Sequence, residues 1–517
     1  METFIYFLKF VVRNVPMLGG AVFGLLIVLI FVLLKNCVSK KTSWPTEFFF
    51  SSSVTIFFSV YILMGIIYLL YPIYLSHAEP TVASLGVVIR SGEPLYPEPV
   101  GSYPYYGMLY GPVLFEIQAV FQWFSKLPTI VTSKLPGLLA LVASAVILMR
   151  INKNWLYRGY LLYLFPFGLM LFWNRAEPFL IFTVSISIIF GKNYTHSKYL
   201  PIFMGIIGGV ASAMKMHGAA YIFAAYLAVV LSAGVSIYAI LLFLISAAFS
   251  FLVFFAPQNV SFFAFWSYLK LGGTHHGLSL RLWLENIIYL VFLLLPFIIF
   301  WRDIKFKANK VMNLTFILAI EFCITVIAAK NGAGFYHLLP FVPINLFIFQ
   351  KIYTNGSRDS MPIKVLYLSL IVASFSVLLL DLVLPMAKSW QRFNEAKKEV
   401  IYFESKYPNI VMGITDDNGY PYTFFRAMMR GGQIDYNAFM DWQTSGIGDD
   451  TLVENFKNCK IRYVLLPNVG SPFSMNNYYT FKSLFSDNVR NTFNTKYSSL
   501  ESKKYYSLYT CFSLSEN

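Results

Sequence analysis

Apolar residues run along the first three quarters of the chain in long blocks separated by short polar breaks. The blocks cover approximately 17–34, 48–75, 136–150, 159–173, 179–191, 200–214, 219–233, 236–256, 287–301, 311–328, 335–350 and 364–387. Each reads as a membrane-spanning helix, about twelve in all, although several fall short of the ~20 residues that cross a bilayer at ~1.5 Å per residue. Past Met386 the pattern changes. Ile410–Ile414, Ile461–Leu466 and Tyr505–Thr510 are β-rich runs, the last a closing strand. Tyr422–Arg430 and Asp450–Asn458 read as helices, the second with its N-cap region at Asp449/Asp450. The expected fold is a mainly α polytopic membrane bundle over residues 1–385, followed by a small α/β domain over 386–517. Cys459 and Cys511 both fall in that domain, and the sequence fits a disulfide or two free thiols equally well.

Composition agrees with the pattern. Of 517 residues, 57% are hydrophobic and only 13% charged, against ~25% charged in soluble domains. A water-soluble globule and a disordered chain are both excluded. The net charge of +15 could suggest nucleic acid, but its distribution marks topology instead. Fifteen of the 25 basic residues before Met386 lie in the loops 35–47, 150–158, 191–199, 301–310 and 351–364. The positive-inside rule puts those loops in the cytoplasm, so the outer loop 76–135, the segment 257–286 and the C-terminal domain face outside. Lys9 and Arg13, ahead of the first block, fit this arrangement less well. There is no Gly-rich phosphate loop, so nucleotide-sugar and ATP-driven mechanisms have no support.

Only twelve acids precede Met386, and seven of them, with five of the six histidines, fall on or near the outer side. Acids and imidazoles gathered on one face of an apolar protein point to chemistry there. The first outer loop starts His77-Ala78-Glu79-Pro80, continues through a helical stretch, Thr81–Ile89, and reaches Gly92-Glu93-Pro94-Leu95-Tyr96. That helix is expected to lie along the membrane surface. An acid at a helix end beside lipid is partly withdrawn from water, which raises a carboxylate's basicity, as a general base for an alcohol requires.

The order of these segments resembles the GT-C glycosyltransferases, in particular the branch of protein O-mannosyltransferases and the aminoarabinose transferase of lipid A. In that branch a first outer loop opens with an acid, runs through a surface helix to a Gly-x-x-x-Tyr segment (here Gly92–Tyr96) and ends in a Tyr/Pro/Gly-rich stretch. Asn174-Arg175-Ala176-Glu177-Pro178, Lys215-Met216-His217-Gly218 and Tyr336-His337-Leu338-Leu339-Pro340 also resemble family segments. The resemblance implies inverting transfer of a monosaccharide from a polyprenyl-phosphate donor to an acceptor hydroxyl on the extracytoplasmic face. Glu79 matches the base, with Glu93 and Glu177 next, because the family commonly carries an Asp-Glu pair where this chain has Ala78-Glu79. Lys215, His217, Arg281, Lys330, Tyr336 and His337 are candidates to hold the donor phosphate, since a leaving phosphate needs fixed cations or hydrogen-bond donors. His77, Arg175, His275 and His276 are further candidates for the substrate site.

Other readings of the same residues stay open. Glu79 could anchor a helix end, Arg175 and Glu177 could be structural, and Lys215 could snorkel to the interface. His275-His276 follow Gly272-Gly273-Thr274 and could belong to a mobile gating loop. As metal ligands, with His77 or Glu79, they lack a fixed spacing, so no cofactor is required by the sequence and a divalent metal is unsupported. Asp441-Trp442-Gln443 does not reproduce the Trp-Trp-Asp signature of oligosaccharyltransferases, which disfavours en bloc transfer. The expected partners are the bilayer, a polyprenyl-phosphate-linked sugar and an acceptor glycan, lipid or protein, with no nucleic acid. The alternatives are a polytopic transporter and a polysaccharide polymerase or ligase using lipid-pyrophosphate donors. No internal repeat supports the transporter.

Overall fold

The computed structural model describes residues 46–98, 101–103, 105–126, 129–151, 159–161, 163–164, 172–299, 308–352, 367, 371, 382–416, 418–429, 434–478 and 480–512. The expected span at 17–34, and most of those at 159–173 and 364–387, lie outside the described residues.

The first part is a succession of helices: α1 (Thr46–Leu70), α2 (Ala78–Arg90), α3 (Pro112–Phe124), α4 (Thr129–Ile151), α5 (Ala176–Asn193), α6 (Leu200–Ser212), α7 (Gly218–Val229), α8 (Ile237–Val253), α9 (Phe262–His275), α10 (Leu280–Ile299), α11 (Ala308–Ile327) and α12 (Phe341–Ile352). Local chemistry sets several of the starts. Pro112 and Pro201 sit in the first turns of α3 and α6, where a missing N–H costs nothing. Ser236 and Ser261 cap α8 and α9 by accepting from Ala239 N at 3.2 Å and Ala264 N at 3.1 Å.

By length and composition, Thr129–Ile151, Leu280–Ile298 and Asn309–Ile327 can each cross a membrane; Val54–Leu70, Leu200–Ser212, Gly218–Val229, Ile237–Val253 and Phe341–Ile352 are shorter apolar helices. Their outward faces carry Ile237, Phe249, Ile298 and Phe316, all exposed, which is how a helix facing lipid looks. Gly205 and Gly209 let α6 approach α8 closely. A Cβ on either would lie 2.4 Å from a carbonyl oxygen of α8, that of Phe243 or Ala247. Such small-residue contacts suit helices that have no hydrophobic drive toward each other in lipid.

Two expectations about this region are revised. The segment 257–286 is mostly α9 and the start of α10 rather than a loop. The block at 335–350 begins as a 3₁₀ turn, Phe335–Leu338, and becomes α-helical only at Phe341, because Pro340 cannot continue an upstream helix.

The C-terminal part begins with α13 (Leu384–Lys406) and continues through β1 (Val411–Met412), a 3₁₀ helix (Tyr420–Met428), α14 (Tyr436–Thr444), α15 (Asp450–Lys457), β2 (Tyr463–Pro467), α16 (Asp487–Lys496), β3 (Tyr497–Ser502) and β4 (Tyr506–Cys511). The sheet order is β1-β2-β4-β3, with β1 parallel to β2 and the other pairs antiparallel. The expected closing strand is therefore internal, paired to β2 with Leu465 opposite Leu508. The edge strand β3 and the helix before it gave no alternating pattern to read. The expected α-helix at Tyr422–Arg430 is the 3₁₀ segment. Cys459 and Cys511 form a disulfide that ties the turn after α15 to β4.

Candidate functional site

The C-terminal part docks on α2 through a buried knot of side chains. Arg426 donates to the Thr81 hydroxyl (2.7 Å) and the His77 carbonyl (3.0 Å), and its guanidinium lies 3.5 Å from Asp435. Asn437 reaches the same two acceptors at 2.6 and 3.0 Å, and Asp435 caps α14 by accepting from Asn437 N at 3.0 Å. The N-terminal half of α2 is consequently buried between the bundle and the C-terminal part.

Glu79 stands in the first turn of α2 with no exposed surface. Its Oε1 accepts from the Tyr68 hydroxyl and from Asn174 N at 3.0 Å; its Oε2 accepts from Leu75 N at 3.0 Å and Ser76 N at 2.9 Å. Four donors surround one carboxylate, joining α1, the turn before α2 and the segment before α5. Nearby, Lys134 caps the carboxyl end of α1, donating to the carbonyls of Tyr68, Tyr71 and Ile73 at 2.8–3.1 Å.

A cavity of about 850 Å³ opens beside this junction, a size suited to a small organic ligand. His77 and Ala78 line it, but Glu79 does not. Arg175, Lys215, Lys270 and Lys330 line it too, with His77, His217, His276 and His337; among the described lining residues Asp441 is the one carboxylate. Met108, Leu109, Trp266, Leu269 and Ile327 give part of the wall an apolar character.

The cations are fixed from behind. Arg175 precedes α5, and its guanidinium lies over the Trp173 ring, 4.1 Å from the centroid, while donating to the hydroxyls of Tyr110 (2.8 Å) and Tyr336 (3.1 Å). Lys215, in the turn between α6 and α7, donates to Glu177 Oε1 at 2.6 Å, and Arg175 Nε lies 3.7 Å from Glu177 Oε2. This turn is held by Gly111, whose N–H reaches Met214 O at 3.1 Å and whose missing Cβ leaves room for Ala213 O. Burial brings the Lys215 ammonium down to about 8, with Glu177 acting against it. Burial and the nearby Lys215 charge hold the stacked His217 and His337 rings well below the usual imidazole range. His77 is brought down to about 3 by burial and by Arg175 and Arg426. Lys330 donates to Gly273 O at 3.0 Å.

His276, the C-cap of α9, forms an ion pair with Asp441 across 3.0 Å, and its Nδ1 lies 3.3 Å from Asn331 O. Burial opposes its charged form, but Asp441 and the Asn331 carbonyl outweigh that, so its pKa is raised. The His275-His276 pair is thus the end of a helix, not a gating loop.

Of the sequence candidates, His77, Arg175, Lys215, His217, His276, Lys330, Tyr336 and His337 meet at this cavity, and Glu177 stands behind it. Glu93 and His275 are exposed and line no part of it. Arg281 is exposed and pairs with Glu285 one turn along α10, at 3.1 Å. Sequence reading missed Tyr110, Trp266, Lys270, Asn331, Asn437 and Asp441 as lining residues. Tyr110 lay within a marked segment, whereas Asp441 carried no local signal. Among the described residues no group of three or more His, Cys, Asp or Glu is placed to hold a metal ion.

No protein-family model matches the chain, and no curated protein matches it in sequence. Solved structures do match in fold. The crystal structure of ArnT from Cupriavidus metallidurans bound to undecaprenyl phosphate aligns with a TM-score of 0.54 at 11% identity, over 89% of this chain and 98% of that one. The apo structure of the same protein aligns with a TM-score of 0.50, also at 11% identity, over 88% and 97%. The chain shares the fold of ArnT.

Proposed function

We propose that this chain is an inverting membrane glycosyltransferase that moves a monosaccharide from a polyprenyl-phosphate donor to an acceptor hydroxyl on the extracytoplasmic face. The observation that carries the reading is the charge balance behind the cavity. Arg175 and Lys215 share the single carboxylate of Glu177 and are 7% and 6% exposed. An uncompensated buried charge costs several kcal/mol, and an anionic ligand at this wall offsets that cost. Lys270 and Lys330 add two further cations to the lining, and the apolar part of the wall suits a lipid-linked substrate. The ArnT structure of the same fold holds undecaprenyl phosphate, which supports a polyprenyl phosphate as the anion.

In the transfer, an acceptor hydroxyl loses its proton as its oxygen attacks the anomeric carbon. The bond from that carbon to the phosphate oxygen breaks, and the bonding pair leaves with the polyprenyl phosphate. Cations set before the reaction stabilise the phosphate as its charge grows. The Cys459–Cys511 disulfide supports an oxidising, extracytoplasmic setting for the C-terminal part.

Binding of undecaprenyl phosphate to the purified protein tests the reading. Wild-type protein is expected to bind it, and Lys330→Ala to weaken binding about tenfold, as loss of one charge-assisted hydrogen bond of about 1.5 kcal/mol predicts. Absence of binding, or equal binding by the variant, would contradict the assignment.

A further inference from the structure

The reaction needs a base, and the carboxylate that the sequence offers for it is committed elsewhere. Both oxygens of Glu79 are occupied by four donors, and neither opens on the cavity. Ala78, which does reach the cavity, has no acid. His77, His217 and His337 line it, but each imidazole is held far below the usual range and is a weak proton acceptor.

We propose that Asp441, supplied by the C-terminal part, is the catalytic base of the transfer and that His276 is its positioning residue. This rests on the glycosyltransferase reading above and assigns its proton acceptor. Asp441 lies on α14 one turn beyond Asn437, so both present the same helical face, and both line the cavity. That face is aimed by Asp435 at the N-cap and by the Arg426–Thr81–His77 knot one turn earlier. The Oδ1 atom of Asp441 is held by His276 at 3.0 Å. Its Oδ2 makes no hydrogen bond among the described residues, and the side chain keeps 19% exposure, where Glu79 has none.

His276 itself is not the base. Its Nε2 faces Asp441 and its Nδ1 faces the Asn331 carbonyl, so neither nitrogen is left for a substrate. Facing two acceptors, the ring is best placed as an imidazolium, with Nε2 in ion-pair contact with Asp441 and Nδ1 against the Asn331 carbonyl. In that form it fixes the carboxylate's rotation and leaves the second oxygen toward the cavity. The acceptor hydroxyl gives its proton to Asp441 Oδ2, its oxygen bonds to the anomeric carbon, and the departing phosphate takes the electron pair of the broken bond. Base and phosphate-binding cations then come from different parts of the chain, so docking of the C-terminal part completes the site.

The test uses full-length protein in lipid nanodiscs with two readouts. One is the Kd for undecaprenyl phosphate. The other is single-turnover release of undecaprenyl phosphate, with water as the acceptor hydroxyl, from a panel of undecaprenyl-phosphate-linked hexoses and pentoses, with the folded fraction measured by thermal unfolding. Asp441→Asn is expected to lower the rate per folded molecule 10²–10⁴-fold, the usual range for a lost general base, and to change the Kd less than threefold. Asp441→Glu is expected to recover part of the rate. His276→Gln is expected to lower the rate about tenfold at unchanged Kd, an effect that a purely structural role would show in the folded fraction instead. Near-wild-type release by Asp441→Asn overturns the assignment and leaves the transferase reading standing. A large change in its Kd also overturns it, by placing Asp441 at the phosphate. A wild type that binds no undecaprenyl phosphate and releases none from any donor overturns the transferase reading, and this proposal with it.

Discussion

Replacing Glu79 with Gln separates the two roles this residue can have. The carboxylate accepts from Tyr68 OH, Asn174 N, Leu75 N and Ser76 N in a site with no exposed surface. An amide supplies one acceptor oxygen and one NH₂. With the NH₂ toward Leu75 N and Ser76 N, two backbone donors face a donor. The reverse orientation is less costly, because the Tyr68 hydroxyl can turn to accept, leaving Asn174 N as the one orphan. A buried unsatisfied N–H costs about 1–3 kcal/mol, and the remaining bonds lose the strength that an ionised acceptor gave them. The sum is about 2–5 kcal/mol of stability. The assay is thermal or denaturant unfolding of Glu79→Gln beside its transfer rate per folded molecule. Substantial destabilisation is expected, with the rate per folded molecule within about tenfold of wild type. A variant as stable as wild type whose transfer falls 10²–10⁴-fold would refute the reasoning and return the base to Glu79.

Glu177→Gln leaves Arg175 and Lys215 as two buried cations without their shared carboxylate, and breaking a buried pair on one side typically costs about 3–5 kcal/mol. Lower thermal stability, partly restored by the double variant with Lys215→Met, checks this. The His276 imidazole has a pKa raised above the usual 6.5, favoured by Asp441 and the Asn331 carbonyl and opposed by burial and Lys330. Its contribution to stability is therefore complete below about pH 6.5 and is lost as pH rises through the folded value. The stability gap between wild type and His276→Gln is expected to narrow on going from pH 6 to pH 9, and a gap that widens would be inconsistent with the pair. The Cys459–Cys511 bond closes a separation of 52 residues, for which loop-closure entropy gives about 4 kcal/mol. Replacing both cysteines with Ser should lower the unfolding temperature of the C-terminal part by an amount set by that figure, and an unchanged unfolding temperature would count against it.

Much of the fold was legible because lipid imposes a simple rule on sequence. A helix surrounded by hydrocarbon must be apolar on most faces, so blocks such as Ile237–Val253 stand out without any periodicity. The scarcity of acids makes Glu79, Glu93 and Glu177 stand out, and the resemblance puts Arg175, Lys215, Tyr336 and His337 in an order that the cavity brings together. What the sequence did not show is direction. Glu79 and Ala78 are neighbours, and only the helix start decides that the alanine meets the cavity while the acid turns back into α1. Asp441 stands in no local pattern that marks a site, since Asp441-Trp442-Gln443 matches no signature. Its meeting with His276 depends on Arg426, Thr81 and Asn437 closing a long-range knot, and no local pattern encodes that. Arg281 is the opposite case, since a cation in a segment expected to face outside is satisfied here by Glu285 one turn away.

The most direct test of the account is a structure of this protein with undecaprenyl phosphate bound. The phosphate is expected within hydrogen-bond reach of Arg175 and Lys215, with its lipid chain along Trp266 and Leu269. A phosphate bound away from this cavity, with Arg175 and Lys215 still paired only to Glu177, would contradict it.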